Sequence, residues 1–244
     1  MKIIKFKLSG KTAFFKKPEV NTYLYFSYSQ IHKVALLGIL GAVQGYKGYN
    51  QMDKEDDYPE FYSKLRDLKI AIEPLNKEGF IVKKIQYFNN SVGYASKEAG
   101  GNLIVKEQWL ENPAWNIYIK LDSEEANKIS DSLINKKTVY VPYLGKNDHI
   151  ADISEVELLE GTSVQEVSTR INSLLLSNNV KISVDEEEDE NDEVKFKYEE
   201  YLPTGLSKET NQYILEKMIY TNMNIIDTKD LDIISVNRRN IVFI

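Results

Sequence analysis

Four glycines, Gly38, Gly41, Gly45 and Gly48, stand three, four and three residues apart in a segment whose apolar residues follow a helical interval. Val34, Leu37 and Leu40 mark a helix over about residues 31–44. If that helix continued, the glycines would form one stripe along it. Each interior glycine costs a helix about 1 kcal/mol relative to alanine, so the stripe requires compensation. The usual compensation is close approach of the helix backbone to a sheet or to a ligand. Gly38 and Gly41 therefore read as a seat on neighbouring strands. Gly45 and Gly48, with Tyr46, Lys47 and Tyr49 between and after them, read equally as a helix-end loop that meets a ligand.

Around this helix the pattern alternates with strands. Ile4, Phe6 and Leu8 interleave with Lys5 and Lys7, a half-buried strand with a basic outer face. Residues 81–88, 103–109, 115–121 and 138–144 read as further strands, with Trp115, Ile117 and Ile119 on one side of theirs. A short helix is expected near residues 60–68, and Asp122-Ser-Glu-Glu opens another reaching about Asn135. The resulting order is α+β and compatible with a ferredoxin-like, split βαβ arrangement, the fold of RRM-type domains. Such a sheet leaves one face open, and single-stranded RNA is a common occupant of that face or its edges. Residues 89–102 are rich in turn formers and free of apolar periodicity, a length of loop more often functional than passive. Beyond about 150 the composition shifts: a short helix over 164–176, strands at 180–184 and 194–198, and two tail strands around Arg238-Arg239 are expected. Residues 185–193 hold eight acids in nine positions. They lack the glycine and alternation of a calcium loop and read as a solvated acidic tip.

Charge is distributed unevenly. The chain carries a net −6, yet residues 1–50 contain eight lysines and one acid. Residues 1–120 hold 18 basic and 12 acidic residues, against 13 and 25 in the remainder. That asymmetry fits a polyanion-binding front half or, equally, a lysine-rich strand surface that keeps the protein in solution. There is no cysteine, which excludes disulfides and thiolate metal sites and suits a reducing cytoplasm. The longest apolar run, residues 34–43, is too short to cross a bilayer, and no signal-peptide h-region opens the chain. A cytoplasmic protein with no membrane partner is expected. His32 and His149 are the only histidines and no ligand spacing accompanies them, so neither a metal nor another cofactor is expected. Gly38-Ile-Leu-Gly41 matches the GXXG of KH domains only superficially, because its middle residues are apolar.

The segment Leu8-Ser-Gly-Lys-Thr-Ala-Phe-Phe-Lys-Lys-Pro18, then Asn21, an aromatic stretch and Val34-Ala-Leu-Leu-Gly-Ile-Leu-Gly-Ala-Val-Gln-Gly45, resembles the N-terminal signature of the Cas-five family of CRISPR RAMP proteins. Pro142-Tyr-Leu-Gly-Lys-Asn-Asp148 resembles a second motif of that family, and the closing strand after Arg238-Arg239 fits as well. The likeness is specific over about 1–50 and 138–150, loose over 80–137 and weak elsewhere. The lysine, asparagine and tyrosine content is similar to that of type I-B subunits. The resemblance implies a ferredoxin-like palm over 1–149 with a β-hairpin thumb near 89–102, and a smaller β-rich region over 150–244. It implies a non-catalytic subunit of a type I interference complex (Cascade) in antiviral defence. Such a subunit caps the 5′ handle of the guide RNA and touches the backbone subunit (Cas-seven) and the large subunit (Cas-eight). Contact with target DNA inside the complex stays open.

The residue chemistry is consistent with that role. Lys11, Lys16, Lys17, Lys33, Lys47 and Lys97 offer phosphate contacts. Phe14, Tyr46, Tyr49 and Tyr94 offer flat faces for unpaired bases, and alternation requires that one of Phe14 and Phe15 be core, Phe15 being the expected one. Asn21, His32 and Gly45 complete the expected RNA-binding set, His32 as a capping or RNA-contacting histidine. Tyr23, Tyr25 and Tyr28 are expected to pack, and Arg238 and Arg239 to pair with carboxylate or phosphate. One branch of the family (type I-C) resembles a metal-independent endoribonuclease built from Tyr, Lys and His. This chain has Tyr46 but lacks the adjacent Lys-His pair, so no catalytic residue is expected. A generic RNA-binding domain unrelated to CRISPR is the third reading, without support from an RNP-type aromatic strand motif.

Overall fold

The computed structural model describes residues 1–19, 23–94, 97–165, 168–178, 180–183, 194–226 and 231–244. Asn21 and the acidic run 185–193 lie outside the described residues. Strand β1 (Lys2–Ser9) and the two-residue β2 (Thr12–Ala13) lead to helix α1 (Lys33–Gln44) and a short α2 (Glu60–Leu65). Next come β3 (Ile70–Pro74), β4 (Lys83–Asn89), β5 (Ile104–Glu111), β6 (Ala114–Lys120), α3 (Glu124–Ile134) and β7 (Asp152–Glu160). The described remainder is strand: β8 (Thr162–Val164), β9 (Ser168–Arg170), β10 (Leu175–Leu176), β11 (Lys181–Ile182), β12 (Lys197–Leu206), β13 (Tyr213–Thr221), β14 (Asn224–Ile226), β15 (Ile233–Val236) and β16 (Arg239–Val242).

The organising layer is a four-stranded sheet in the order β3-β6-β1-β7 with every neighbouring pair antiparallel. Two crossovers, β1-α1-β3 and β6-α3-β7, each join parallel strands separated by one other strand. Alternation decides which face is which. Ile4, Phe6 and Leu8 oppose Ile119, Ile117 and Trp115 across β1 and β6, and all are fully buried in a core shared with α1 and α3. The Trp115 indole N–H donates to Gln30 Oε1 at 2.7 Å, so its one polar group is satisfied inside that core.

The other face is not left open as the sequence suggests. Ile3, Ala71 and Tyr118 are sealed by Ile234, Val236 and Ile241 of the β15–β16 hairpin. The lysines of β1 are likewise not a free basic surface: Lys5 lies 3.8 Å from Glu157 and Lys7 3.1 Å from Glu155, both on β7. Such half-exposed pairs contribute under about 1 kcal/mol each, but they neutralise the charge that the N-terminal count implied.

Three elements differ from their expected form. Residues 138–144 are a loop, and the strand expected there falls later, as β7. The described part of 164–176 is short strand rather than helix. β3 is absent from the sequence reading because its five residues are all buried, which removes the alternation that marks a half-exposed strand. The C-terminal strands share the main core through Leu202, Leu206 and Met218, and Ile244 exchanges backbone hydrogen bonds with Ile70 at the β3 edge.

The glycine stripe also resolves differently. Helix α1 ends at Gln44, and Gly45 takes the left-handed conformation (φ 78°) at its C-cap. The Tyr46 N–H closes back on the Gly41 carbonyl at 2.9 Å. A Cβ on Gly41 would sit 2.5 Å from Phe61 Cβ, whereas one on Gly38 would meet Phe61 only at 4.0 Å. The close approach is therefore helix α1 on helix α2, not helix on sheet. Gly41→Ala is expected to destabilise by about 1–2 kcal/mol, overpacking outweighing the propensity gain. Gly38→Ala should leave stability unchanged or raise it by up to about 1 kcal/mol; urea denaturation of the two variants checks both.

Candidate nucleic-acid interface

A cleft of about 780 Å³ opens over the solvent-facing side of α1. Its construction begins at the helix N-terminus. His32 is the N-cap, and its Nδ1 accepts the Ala35 N–H at 3.2 Å. The imidazole is held edge-on by Phe15, Tyr28 and Tyr213, with ring centroids 6.0, 5.2 and 5.3 Å away. At the other end, the αL turn at Gly45 throws Tyr46 and the Gly48–Gln51 segment across the rim. The loop 139–145 forms the facing wall. Val139 and Tyr140 donate their N–H groups to the Val43 and Ala42 carbonyls at 3.0 Å, pairing with acceptors of the last helical turn, of which Ala42 also accepts the Gly45 N–H at 3.3 Å. That pairing delivers Tyr140, Val141 and Tyr143 to the cleft.

The lining is aromatic and nearly uncharged. Phe14, Tyr46, Tyr49, Tyr140, Tyr143 and Tyr213 contribute rings, Asn50 and Gln51 contribute amides, and Lys16 is the one cation among the described lining residues, which include no carboxylate. Lys16 is exposed, with Nζ 3.9 Å from the centroid of Tyr25. Burial holds His32 well down, at about 3, so it is neutral at physiological pH. Burial, and then the hydroxyl's hydrogen bond to Glu125, pushes Tyr46 up to about 12. Tyr49 is raised as well, by burial first. The surface is one of neutral donors and flat rings with a single positive charge at the rim.

Of the residues expected from sequence, Phe14, Lys16, His32, Tyr46 and Tyr49 meet in this cleft. Gly45 and Lys47 flank it on the same turn, the Lys47 N–H donating to Glu60 at 2.8 Å while its side chain is exposed. Phe14 is not the outward ring that alternation predicts: it is only 4% exposed, as is Phe15 at 2%. The Gly145 turn (φ 87°) packs on the backbone of this segment, so close that a Cβ there would collide with the Phe14 carbonyl. One face of Tyr46 is already taken by Lys64, whose Nζ lies 4.1 Å from the ring centroid.

Other candidates sit elsewhere. Lys17 pairs with Glu200 of β12 at 2.7 Å, and Glu200 also accepts from the Ser29 N–H at 2.8 Å and the Tyr198 hydroxyl at 2.7 Å. Lys33 donates to the Ile244 carbonyl at 3.1 Å, its pKa lowered by burial. Lys11 is exposed on the turn after β1. Tyr94 and Lys97 are exposed at the tip of the β4–β5 hairpin. Tyr28 is buried as expected, whereas Tyr23 is 81% exposed. Arg239 pairs with a carboxylate, Glu73, at 3.3 Å.

Sequence reasoning missed Tyr140, Tyr143 and Tyr213. Tyr213 comes from β13, and no local pattern links it to residues 14–51. Tyr140 and Tyr143 fall in the segment read as a strand. Their wall is pinned to the hairpin base by a part-buried cluster around His149 and Glu107. Thr12 Oγ1 meets His149 Nδ1 at 2.7 Å, Lys146 pairs with Glu107 at 3.2 Å, and Trp109 stands edge-on to His149 at 4.5 Å. His149 is 2% exposed and its pKa is lowered, burial again being the first cause.

Both histidines therefore bind a proton more readily in the unfolded chain than in the folded one. Their contribution to stability is present above the unfolded value near 6.5 and is lost as pH falls below it. For His32, held at about 3, the loss by pH 5.5 should reach about 1 kcal/mol, and His149 adds to it in the same direction. Thermal denaturation from pH 7.5 to 5.5 should show stability falling with acidification, and a shallower fall in His149→Asn.

Comparisons with known proteins follow the architecture. No protein-family model matches the chain, and no curated protein matches it by sequence. Solved structures do match. A chain of a CRISPR RNA-guided surveillance complex aligns with a TM-score of 0.52 at 13% identity, over 92% of this chain and 90% of that one. A CRISPR protein from Archaeoglobus fulgidus aligns with a TM-score of 0.52 at 9% identity, over 100% and 99%. A chain of the type III-B Cmr-beta complex, bound to cognate target RNA and AMPPnP, aligns with a TM-score of 0.53 at 12% identity, over 93% and 86%. At these identities the likeness is one of fold: a mixed α/β chain of mostly antiparallel sheets, shared with CRISPR-associated proteins along nearly its whole length. No helix among the described residues is long and apolar enough to cross a membrane.

Proposed function

We propose that this chain is a guide-RNA-binding subunit of a CRISPR effector complex, of the Cas-five kind and type I-B-like, that caps the 5′ handle without cutting it. The observation that carries the reading is the cleft: ring faces and neutral donors, no carboxylate among its described lining residues, and one exposed cation at its rim. Unpaired bases stack on such surfaces for about 1–3 kcal/mol each, with phosphates held by lysine. Like folds in CRISPR RNA-guided assemblies support the setting. The β3-β6-β1-β7 order with its two split crossovers supports a ferredoxin-like palm, and the β4–β5 hairpin with Tyr94 and Lys97 at its tip supports a thumb around residues 89–102. In this reading the backbone subunit, the large subunit and target DNA meet other faces of the molecule.

An endoribonuclease role is disfavoured by the chemistry of Tyr46. Its hydroxyl is a donor to Glu125 and its pKa stands at about 12, so it is a poor general base at neutral pH. His32 lines the same cleft but is buried and neutral, with Nδ1 committed to the helix cap, and His149 is buried and not among the described lining residues. Incubation of the chain with a repeat hairpin without metal should give no discrete cut.

Co-expression with a repeat-spacer transcript and the other subunits should yield a co-purifying ribonucleoprotein; a protein recovered free of guide RNA from that mixture would refute the reading. Lys16→Glu should weaken guide retention roughly tenfold and lower the salt slope by about 1, with unchanged melting temperature. Lys17→Ala should instead lower the melting temperature, because it leaves the mostly buried Glu200 carboxylate without its cation.

A further inference from the structure

The RNA-binding reading leaves one residue of the cleft with an unusual chemical state. His32 is 3% exposed and lines the cleft, yet it stands at the helix N-cap with Nδ1 committed as an acceptor to the Ala35 N–H. An acceptor nitrogen carries no proton, so the neutral ring must carry its proton on Nε2. Among the described residues nothing is hydrogen-bonded to Nε2. Phe15, Tyr28 and Tyr213 fix the plane of the imidazole from three sides, so the direction of that N–H is set by packing and cap together.

We infer that His32 is a specificity-determining residue of the cleft, whose Nε2–H donates to a ring nitrogen or carbonyl oxygen on the edge of one unpaired nucleobase inserted among the aromatic side chains. The inference rests on the RNA-binding reading and deepens it by naming what the cleft recognises. A phosphate is the wrong partner for this position. An anion would call for an imidazolium, and the buried ring resists protonation while its Nδ1 is needed by the helix. The division of labour is then spatial: Lys16 at the rim takes the backbone charge, and His32 inside reads a neutral acceptor. A donor whose bound partner is removed leaves a buried polar group unpaired, which is why one such contact discriminates strongly.

The variant that isolates the donor is His32→Ser, since a serine hydroxyl caps the same N–H but cannot reach into the cleft. The full chain and this variant are titrated with a short single-stranded RNA bearing the repeat-derived 5′ terminus, and with strands carrying one abasic site at each position in turn. Circular dichroism melting confirms that the variant folds, and His32→Asn, a second cap-retaining change, guards against a variant that does not. The expected result is that one abasic position weakens wild-type binding by about 5–100-fold. The cap-retaining variant should bind the intact strand about 3–10-fold more weakly, and that position should matter less to it. Intact-strand affinity equal to wild type, or a loss spread evenly over all positions, overturns the role of His32 while leaving RNA binding in place. Absence of binding by the wild-type chain overturns the underlying reading and this inference with it.

Discussion

Helix α1 can lie against α2 only because residue 41 has no side chain, and much of the candidate interface hangs from that contact. Phe61 occupies the space that a Cβ at Gly41 would need. With α2 drawn in, the Phe61 N–H bonds the Lys47 carbonyl, and Glu60 accepts from the Lys47 N–H. Those bonds hold the turn after α1, and the turn carries Tyr46 and Tyr49 to the rim. A helix one residue longer at its C-terminus would remove the αL turn, and with it the direction in which both rings project.

The opposite end of α1 is set by chemistry rather than by close approach. The N-cap is normally an exposed polar residue, but here it is a histidine enclosed by aromatic rings. The enclosing rings keep the imidazole buried and so neutral, and the cap fixes which nitrogen carries its proton. A cap of this kind does two things at once, ending a helix and presenting a proton donor of fixed tautomer to the space beside it. The C-terminal region contributes to the same enclosure through Tyr213, so strands near the end of the chain complete a site opened by its first fifty residues.

Charge tells a related story. The excess of lysine in the N-terminal segment reads as a polyanion surface, but the fold spends much of it internally: Lys5 and Lys7 on β7 glutamates, Lys17 on Glu200, Lys33 on the Ile244 carbonyl. The acidic excess of the later chain supplies three of those partners. What remains is Lys16 in the lining and Lys47 on the flanking turn, which argues for recognition by stacking and neutral hydrogen bonding more than by charge density.

The sequence by itself determined the alternating β1 and β6, the places of the two longer helices, the strands on either side of the polar segment 89–102, and the grouping of Phe14, Lys16, His32, Tyr46 and Tyr49 in one N-terminal segment. Those features are local, written in periods of two and 3.6 residues and in caps. Tertiary structure alone decided the rest. Which face of the sheet is covered, which lysines are neutralised and where Tyr140, Tyr143 and Tyr213 arrive all depend on contacts between residues far apart in the chain. The all-buried β3 escaped notice for the same reason: when both faces are covered, a strand loses the polar beat that would announce it, and only its neighbours reveal what it is.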